Sequence, residues 1–199
     1  MNLKKFSIIA ALCENYGIGH SNKLAWKLKT EMQYFTRITS RTNDAEKKNV
    51  VIMGNKTWNS IPVKFRPLPD RINIVLSRSL KEKPKQADYL FNSLEDALDF
   101  ASSLDEVEKI FVIGGAEVYK AAIELSDCDK LYLTKVHQLF DCDTFFPSFD
   151  PNIYKEIKQD DVPQEMQQEN GIKFSYHVYQ RTNHEPSQVS SNSSLPLSA

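Results

Sequence analysis

The sequence predicts a single α/β domain, and three observations lead to this fold class. Short apolar runs rich in Ile, Val, Phe and Tyr recur without strict alternation, which is typical of strands covered on both faces. Amphipathic helical patterns lie between these runs, so strands and helices alternate along the chain. The chain has 199 residues, of which 41% are hydrophobic, and this is enough for one domain with its own core.

Six of the apolar runs are expected to form strands of one sheet. They cover residues 6–12, 50–53, 72–76, 89–91, 110–113 and 131–136. The first run follows Lys4 and Lys5 and superficially resembles a signal peptide. However, it is short for that purpose, and no small-x-small cleavage site follows it. We therefore interpret it as a buried first strand.

Helices are predicted between the strands by the 3.6-residue period and by one capping box. The positions that mark them are Leu28, Glu31, Met32 and Phe35; Ser93, Leu94, Glu95, Asp96, Leu98 and Ala101; and Val118, Ala122 and Leu125. Near the end of the chain, residues 172–179 alternate apolar and polar side chains. This pattern predicts a half-buried antiparallel strand that closes one edge of the sheet.

Composition excludes several classes of protein. The 25 Lys and Arg balance 26 Asp and Glu, so no broad field attracts nucleic acid or an anionic membrane, and a small-molecule partner is favoured. Cys13, Cys128 and Cys142 form no Cys-x-x-Cys pair and favour a reducing compartment over a disulfide framework. The histidines lack metal-ligand spacing, which argues against a metal site. Residues 183–199 are rich in Ser, Asn and Pro, and we expect a disordered tail after a domain at 1–182.

Glycine is scarce, with six in the chain, and five of them lie in three segments between a strand and a helix. The segments are 17–19, 54–57 and 114–115. Free amides at a helix N-terminus, together with Lys56 and Thr57, are suited to a phosphate group. Such sites at the carboxyl ends of strands favour a ligand with several phosphates, such as a dinucleotide. The residues alone are equally compatible with ordinary turns.

Glu31 is unusual because it falls on the apolar stripe of its predicted helix. A carboxylate on such a face needs a partner or a ligand, since an unpaired buried charge is costly. One interpretation is a carboxylate with a raised pKa that binds a heterocycle carrying amidine-like donors. The alternative is a partly exposed Glu at the border of the stripe.

Ordered motifs cover nearly the whole chain from Phe6 to Arg181. They are Ile8-Ile9-Ala10-Ala11, Gly17-Ile18-Gly19, Leu24-x-Trp26, Glu31-Met32-x-Tyr34-Phe35, Val51-Ile52-Met53-Gly54-x-Lys56-Thr57-Trp58, Ser60-Ile61-Pro62, Arg66-Pro67-Leu68, Arg71-Ile72-Asn73, Leu76-Ser77-Arg78, Ile113-Gly114-Gly115-Ala116-Glu117-Val118-Tyr119 and Asp143-Thr144-Phe145-Phe146-Pro147. Each motif is modest alone. The ordered set is highly specific, and it resembles the dihydrofolate reductase family in its longer eukaryotic form.

The resemblance implies a twisted, mostly parallel sheet of about eight strands with an antiparallel C-terminal strand and flanking helices. It implies NADPH-dependent reduction of 7,8-dihydrofolate to 5,6,7,8-tetrahydrofolate, in support of one-carbon metabolism and thymidylate synthesis. In this reaction a hydride passes from C4 of the nicotinamide to C6 of the pterin. We further expect a cytoplasmic monomer that binds antifolate inhibitors and has no metal, nucleic acid or membrane partner.

Four residues take catalytic roles by this resemblance. Glu31 is the acidic group that binds the pterin 2-amino group and N3, and Thr134 hydrogen-bonds its carboxylate. Trp26 helps to hold an ordered water near the pterin. The loop that carries Leu24 controls the access of the water that delivers a proton to N5.

The resemblance also implies two sets of binding residues. The substrate set is Ile8, Ile9, Ala10, Glu31, Met32, Phe35, Ser60, Ile61, Pro62, Leu68, Arg71, Ile113, Tyr119 and Thr134. The cofactor set is Ala10, Ile18, Gly19, Asn22, Lys23, Leu24, Gly54, Asn55, Lys56, Thr57, Leu76, Ser77, Arg78, Ile113, Gly114, Gly115, Ala116, Glu117, Val118, Tyr119 and Thr144. Arg71 would bind the α-carboxylate of the glutamate tail with a bidentate fork. Ser77 and Arg78 would meet the adenosine 2′-phosphate, and the Gly114–Gly115 peptide is cis in this family.

Four positions depart from the family pattern. Ala25 replaces the usual Pro before Trp26, which makes the Leu24 loop less rigid. Asn55 and Asn92 stand where basic residues are usual near the 2′-phosphate, which weakens the expected preference for NADPH. Met32 replaces a common aromatic residue and would alter inhibitor selectivity.

Two alternatives remain at the level of sequence. The first is a reductase of another pterin or of a riboflavin precursor, and Arg71 argues against it because such substrates lack a glutamate tail. The second is a non-catalytic ligand- or RNA-binding protein on the same fold. The balanced charge and the presence of Glu31, Trp26 and Thr134 together argue against this second alternative.

Overall fold

The structure, a computed structural model, describes residues 3–182, so the predicted tail at 183–199 lies outside the described residues. The strands are β1 (Phe6–Cys13), β2 (Gly17–Gly19), β3 (Lys48–Gly54), β4 (Arg71–Leu76), β5 (Tyr89–Phe91), β6 (Val107–Val112), β7 (Cys128–Val136), β8 (Thr144–Phe145), β9 (Tyr154–Ile157), β10 (Gln167–Glu169) and β11 (Ile172–Arg181). The helices are α1 (Lys29–Ser40), α2 (Asn55–Ser60), α3 (Leu94–Ser103) and α4 (Ala116–Glu124), with a 3₁₀ turn at Val63–Phe65. All six strands expected from the apolar runs are present.

The main sheet has nine strands in the order β10-β11-β7-β1-β6-β3-β4-β5, with β9 also pairing with β11. The strands from β7 to β5 run parallel, and β11 is antiparallel to its neighbours. A separate ribbon joins β2 and β8. The α/β class, the mostly parallel sheet and the antiparallel final strand are therefore confirmed.

The prediction that the final strand closes an edge of the sheet is wrong. β9 and β10 pair with β11 on the side away from β7. Their sequences, Tyr-Lys-Glu-Ile and Gln-Gln-Glu, contain no apolar run. Edge strands of this kind need little burial, so the hydrophobic pattern did not reveal them.

Each face of the parallel sheet carries its own hydrophobic core. One core lies beneath α3 and α4, and the other lies beneath α1 and α2. Consecutive residues of a strand enter opposite cores, because Val50 and Ile52 belong to the first and Val51 and Met53 to the second. Burial on both faces explains why these strands lack polar alternation.

Two helix predictions have different outcomes. Ser93 caps α3, since its Oγ accepts a hydrogen bond from Asp96 N at 3.1 Å. This confirms the N-cap half of the capping box, whereas Asp96 Oδ2 accepts from Ser93 Oγ at 2.7 Å rather than from the Ser93 amide. The predicted apolar stripe of α1 is wrong in part, because Met32 is 45% exposed. The buried face runs instead through Glu31, Tyr34 and Ile38, and Met32 lies about 100° around the helix from Glu31.

The described residues include no helix that is both long enough and apolar enough to cross a membrane.

Candidate active site

Glu31 lies in the first turn of α1 and faces the sheet. Its side chain is 6% exposed, and Thr134 Oγ1 on β7 donates a hydrogen bond to Glu31 Oε1 at 3.2 Å. Burial raises the pKa of Glu31 to about 7, and the bond from Thr134 offsets part of that rise. The carboxyl can therefore exchange its proton near neutral pH, as catalytic and ligand-binding carboxyls often do.

Trp26 and Leu24 lie between β2 and α1. Trp26 is buried, its ring centroid is 5.4 Å from that of Phe140, and its Nε1 has no acceptor among the described residues. A buried N–H of this kind is normally paired with a protein group, a water or a ligand. Leu24 is 51% exposed, so the loop that carries it is open to solvent.

Arg71 begins β4 and is almost fully buried. Its Nε donates to Pro69 O at 2.9 Å and its Nη1 to Thr39 Oγ1 at 2.7 Å. None of the ion pairs in residues 3–182 includes Arg71. Burial lowers the pKa of the guanidinium to about 10, which leaves it charged at pH 7. This buried cation with spare donors is suited to a carboxylate ligand.

The three glycine segments meet at one edge of the sheet. They follow β1, β3 and β6, which are neighbours and run parallel. Gly54 N donates to Gly114 O at 2.8 Å, and a Cβ built on Gly115 would lie 3.2 Å from Thr57 Oγ1. The first turns of α2 and α4 are therefore adjacent, and their free amides can act on one anion. The Gly114–Gly115 peptide is cis, as the resemblance implies.

A cavity of about 600 Å³ lies beyond the end of β4. It is lined by Arg78, Leu80, Lys81, Leu90, Phe91, Asn92, Asp96 and Asp99. The structure thus brings together Arg78 and Asn92, which by the family resemblance lie near one phosphate group. It also adds Lys81, a basic residue that the sequence analysis missed.

Comparisons with known proteins decide the family. The sequence model described as "Dihydrofolate reductase" matches residues 5–181. A dihydrofolate reductase from Drosophila melanogaster is 46% identical over 180 residues, which cover 89% of this chain and 98% of that protein. The chain belongs to the dihydrofolate reductase family. A chicken (Gallus gallus) dihydrofolate reductase is 45% identical over 185 residues, covering 90% and 98% of the two chains. The structure of Schistosoma mansoni dihydrofolate reductase aligns with a TM-score of 0.79 at 36% identity, covering 91% of this chain and 100% of that one.

Not every residue expected to bind ligands in a dihydrofolate reductase presents its side chain beside Glu31. Ile8 and Ala10 enter the core beneath α3 and α4, on the face opposite to α1. Their side chains therefore do not line a pocket beside Glu31. Ile9 faces the α1 side, and so does the half-buried Ala11, which pairs with Thr134 in register. Ala11 was missed as a site candidate, although strand alternation from Ile9 indicates its face.

The remaining predicted residues differ in their exposure to solvent. Met32, Ser60 and Pro62 are exposed, and Phe35, Ile61 and Leu68 are half-buried. Tyr119 is buried, and its hydroxyl donates to Ile9 O at 2.9 Å. Among the residues predicted for the cofactor, the exposed ones are Asn22, Lys23, Lys56, Arg78 and Glu117. The buried or half-buried ones are Ile18, Gly19, Asn55, Leu76, Ser77, Ile113, Ala116, Val118 and Thr144.

Glu169 is a residue of the site region that sequence reasoning missed. α1 begins after Leu28 without any side-chain cap of its own. Instead, Glu169 on β10 accepts hydrogen bonds from Lys29 N at 2.7 Å and from Thr30 N at 2.8 Å. These bonds hold the pKa of Glu169 below its ordinary value. A carboxylate at a helix N-terminus is favourable, and this one fixes the turn that carries Glu31.

Replacing Glu169 with Ala is expected to raise the KM for dihydrofolate by about threefold and to lower the Tm, because the first turn of α1 loses its cap. The KM for the nicotinamide cofactor should not change. Steady-state kinetics and thermal unfolding measure both effects. Glu165→Ala is the matched control, since Glu165 is exposed in the preceding loop. Equal effects of the two substitutions would contradict the capping role.

Proposed function

We propose that this protein reduces 7,8-dihydrofolate to 5,6,7,8-tetrahydrofolate with NADPH and so supplies one-carbon metabolism and thymidylate synthesis. The observation that carries the proposal is the buried Glu31 with its Thr134 partner and a pKa near neutrality. Family membership supports the reaction class. NADPH supplies the hydride when it is bound. The protein orients the two ligands, excludes water from the site and controls the delivery of the proton.

On the substrate side, the Glu31 carboxylate accepts hydrogen bonds from the pterin 2-amino group and N3. The apolar surroundings strengthen these bonds and exclude competing water. Arg71 would bind the α-carboxylate of the glutamate tail, because its buried guanidinium retains donors beyond its bonds to Pro69 and Thr39. The 3₁₀ turn that follows Ile61 and Pro62 exposes two more apolar side chains, Val63 and Phe65, which would add to the apolar surface offered to the substrate.

Reduction also requires a proton at N5 of the pterin. Glu31 is charged or protonated according to pH, but by the family resemblance N5 lies beyond its direct reach. A water delivers the proton, and the exposed Leu24 loop controls the access of that water. The unpaired Trp26 Nε1 fits a donor that orients such a water.

On the cofactor side, the residues present fit NADPH. Lys56, Thr57 and the amides at the start of α4 would hold the pyrophosphate, since they lie at one sheet edge. Ser77, Arg78 and Lys81 would meet the 2′-phosphate, and the last two line one cavity. Lys81 compensates in part for the neutral Asn55 and Asn92.

The three free cysteines support a reducing location such as the cytoplasm.

Replacing Arg78 with Ala is expected to raise the KM for NADPH about tenfold and to leave that for NADH nearly unchanged, because only NADPH carries the 2′-phosphate. The ratio of kcat/KM for the two cofactors measures the effect. Lys85→Ala removes a positive charge from an exposed position outside the cavity and should leave the ratio unchanged. An unaltered ratio in the Arg78 variant would contradict the assignment.

The direct test of the proposed function follows the near-ultraviolet absorbance of NADPH with purified protein. Consumption that requires both protein and dihydrofolate is expected. A pterin without the glutamate tail should react with a much higher KM. Efficient consumption with the tail-free pterin and none with dihydrofolate would instead favour a reductase of another pterin. Binding of ligands without consumption would indicate a non-catalytic protein.

A further inference from the structure

Two of the three cysteines lie together at the end of β1. Cys13 Sγ and Cys142 Sγ are 3.9 Å apart, although 129 positions separate them in the chain. Cys13 is buried and Cys142 is half-buried, so an oxidant in solution reaches Cys142 first. Within residues 3–182, Cys128 makes no comparable contact with another thiol.

The pair lies where the loop between β1 and α1 meets the segment before β8. The Cys142 side chain packs on bare backbone, because a Cβ built on Gly17 would lie 2.5 Å from Cys142 Sγ. Asp143 N donates to Gly19 O at 3.0 Å, and Ser21 N donates to Asp143 Oδ2 at 2.8 Å. These contacts join the two segments without a covalent bond, and the loop continues directly into Leu24.

We propose that Cys13 and Cys142 are a reversible redox modification site, at which an intramolecular disulfide ties the last residue of β1 to the segment before β8, which contacts the loop between β1 and α1. The oxidant is a low-molecular-weight disulfide, for which oxidised glutathione is the probe. Two thiols and one glutathione disulfide give one protein disulfide and two molecules of glutathione.

The exchange proceeds in two steps that balance. The Cys142 thiolate, after loss of its proton to solvent, attacks one sulfur of oxidised glutathione, and the first glutathione leaves as a thiolate. Cys13 then loses its proton to solvent and its thiolate attacks Cys142 Sγ, so that the second glutathione leaves in the same way. Both leaving thiolates take up protons. Burial raises the pKa of Cys142 to about 11, so the site reacts slowly and remains reduced unless the oxidant persists.

The disulfide would restrict the loop that carries Leu24. Cys13 is held at the end of β1 by its pairing with Val136 of β7, so a covalent bond fixes the segment before β8 to β1. The loop is then restrained through its hydrogen bonds with Asp143 in that segment. If the protein has the proposed reductase function, loop motion accompanies each turnover, and the oxidised protein turns over more slowly. This kinetic effect rests on the proposed function, whereas the disulfide itself does not.

The test incubates the full chain with excess oxidised glutathione under mildly alkaline conditions. We expect a mass decrease of about 2 Da, the loss of two hydrogen atoms, and a non-reducing digest that yields the Cys13 and Cys142 peptides as one linked species. Amide exchange in residues 14–23 should slow and the Tm should rise, because the bond closes a long loop. Turnover should fall at least about threefold and recover with dithiothreitol.

Single substitutions supply the controls. Cys13→Ser and Cys142→Ser should each abolish the linked species, the slower exchange and the oxidative loss of turnover, whereas Cys128→Ser should retain all three. A glutathione adduct without the link, a link through Cys128 or between two chains, or a link that leaves both exchange and turnover unchanged would overturn the inference. Failure of the proposed function is distinguishable, because the reduced protein would then consume no NADPH with dihydrofolate.

Discussion

Replacing Glu31 with Gln is expected to lower kcat for dihydrofolate reduction at pH 7 by about 100-fold or more, while the Kd for NADPH changes less than about twofold. Gln retains a hydrogen-bond acceptor for Thr134 and nearly the same volume. It cannot hold a negative charge or take up a proton. The loss should therefore appear in turnover and in substrate affinity rather than in the cofactor site at the starts of α2 and α4.

The loss of turnover in Glu31→Gln should depend on pH. The carboxyl of Glu31 assists the protonation of the substrate. The variant should therefore recover part of its turnover as the pH falls, because solvent then supplies the proton. Stopped-flow measurement of hydride transfer from pH 5 to pH 9 separates this step from product release. Equal losses of turnover and of NADPH binding at all pH values would contradict the assigned role.

The same substitution should stabilise the protein at alkaline pH. Burial raises the pKa of Glu31 from 4.5 to about 7, so between these values the native state binds more protons than the unfolded state. The free energy of unfolding of the parent therefore falls as the pH rises through this window. Glu31→Gln lacks this group and should be more stable above pH 7, by roughly 3 kcal/mol at most, with no gain below pH 4.5. Urea unfolding at several pH values measures the difference.

The sequence alone could predict elements whose residues are buried on both faces. Residues 50–53 are all inaccessible to solvent, and an uninterrupted apolar run records that environment directly. The short polar strand β10 carries no comparable signal, because its stability derives from backbone pairing with β11. The same is true of β9, and for this reason the position of β11 within the sheet was mistaken.

For the site, the helical period showed that Glu31 is unusual, but it could not identify partners distant in sequence. Thr134 is 103 positions away, and only the family resemblance indicated it. Glu169 caps α1 from 139 positions beyond Thr30, and no local pattern marks it. Sequence periodicity reports one face of one element, whereas these contacts depend on how β7, β11 and β10 lie side by side beneath α1.

Replacing Gly114 with Ala is expected to destabilise the protein by roughly 3 kcal/mol and to abolish measurable NADPH binding. Gly114 has a φ of +117°, and a Cβ there would lie 3.1 Å from Tyr119 Oη and 3.2 Å from Tyr119 Cζ. The backbone conformation costs about 1–2 kcal/mol for a residue with a side chain, and overpacking adds about 1–3 kcal/mol.

The effect should extend to the cofactor edge because Tyr119 cannot move freely. Its ring is buried against Phe146, with centroids 5.1 Å apart, and its hydroxyl donates to Ile9 O in β1. Displacement of Tyr119 would break that bond and shift the start of α4, which carries the amides assigned to the pyrophosphate. Gly54 N, which donates to Gly114 O, would lose its position as well.

Two further glycines separate these causes. Gly171 has a φ of +79° but nothing within 4 Å of a built Cβ, so Gly171→Ala should incur only the conformational cost and bind NADPH normally. Gly115 has no positive φ, and a Cβ there would meet only Thr57 Oγ1 at 3.2 Å. Gly115→Ala should therefore lower the free energy of NADPH binding by more than it lowers the free energy of unfolding. Thermal unfolding and NADPH titration of the three variants test this order. If Gly114→Ala lowered neither the Tm nor the affinity for NADPH more than Gly171→Ala does, the contact with Tyr119 would not be what requires glycine at position 114.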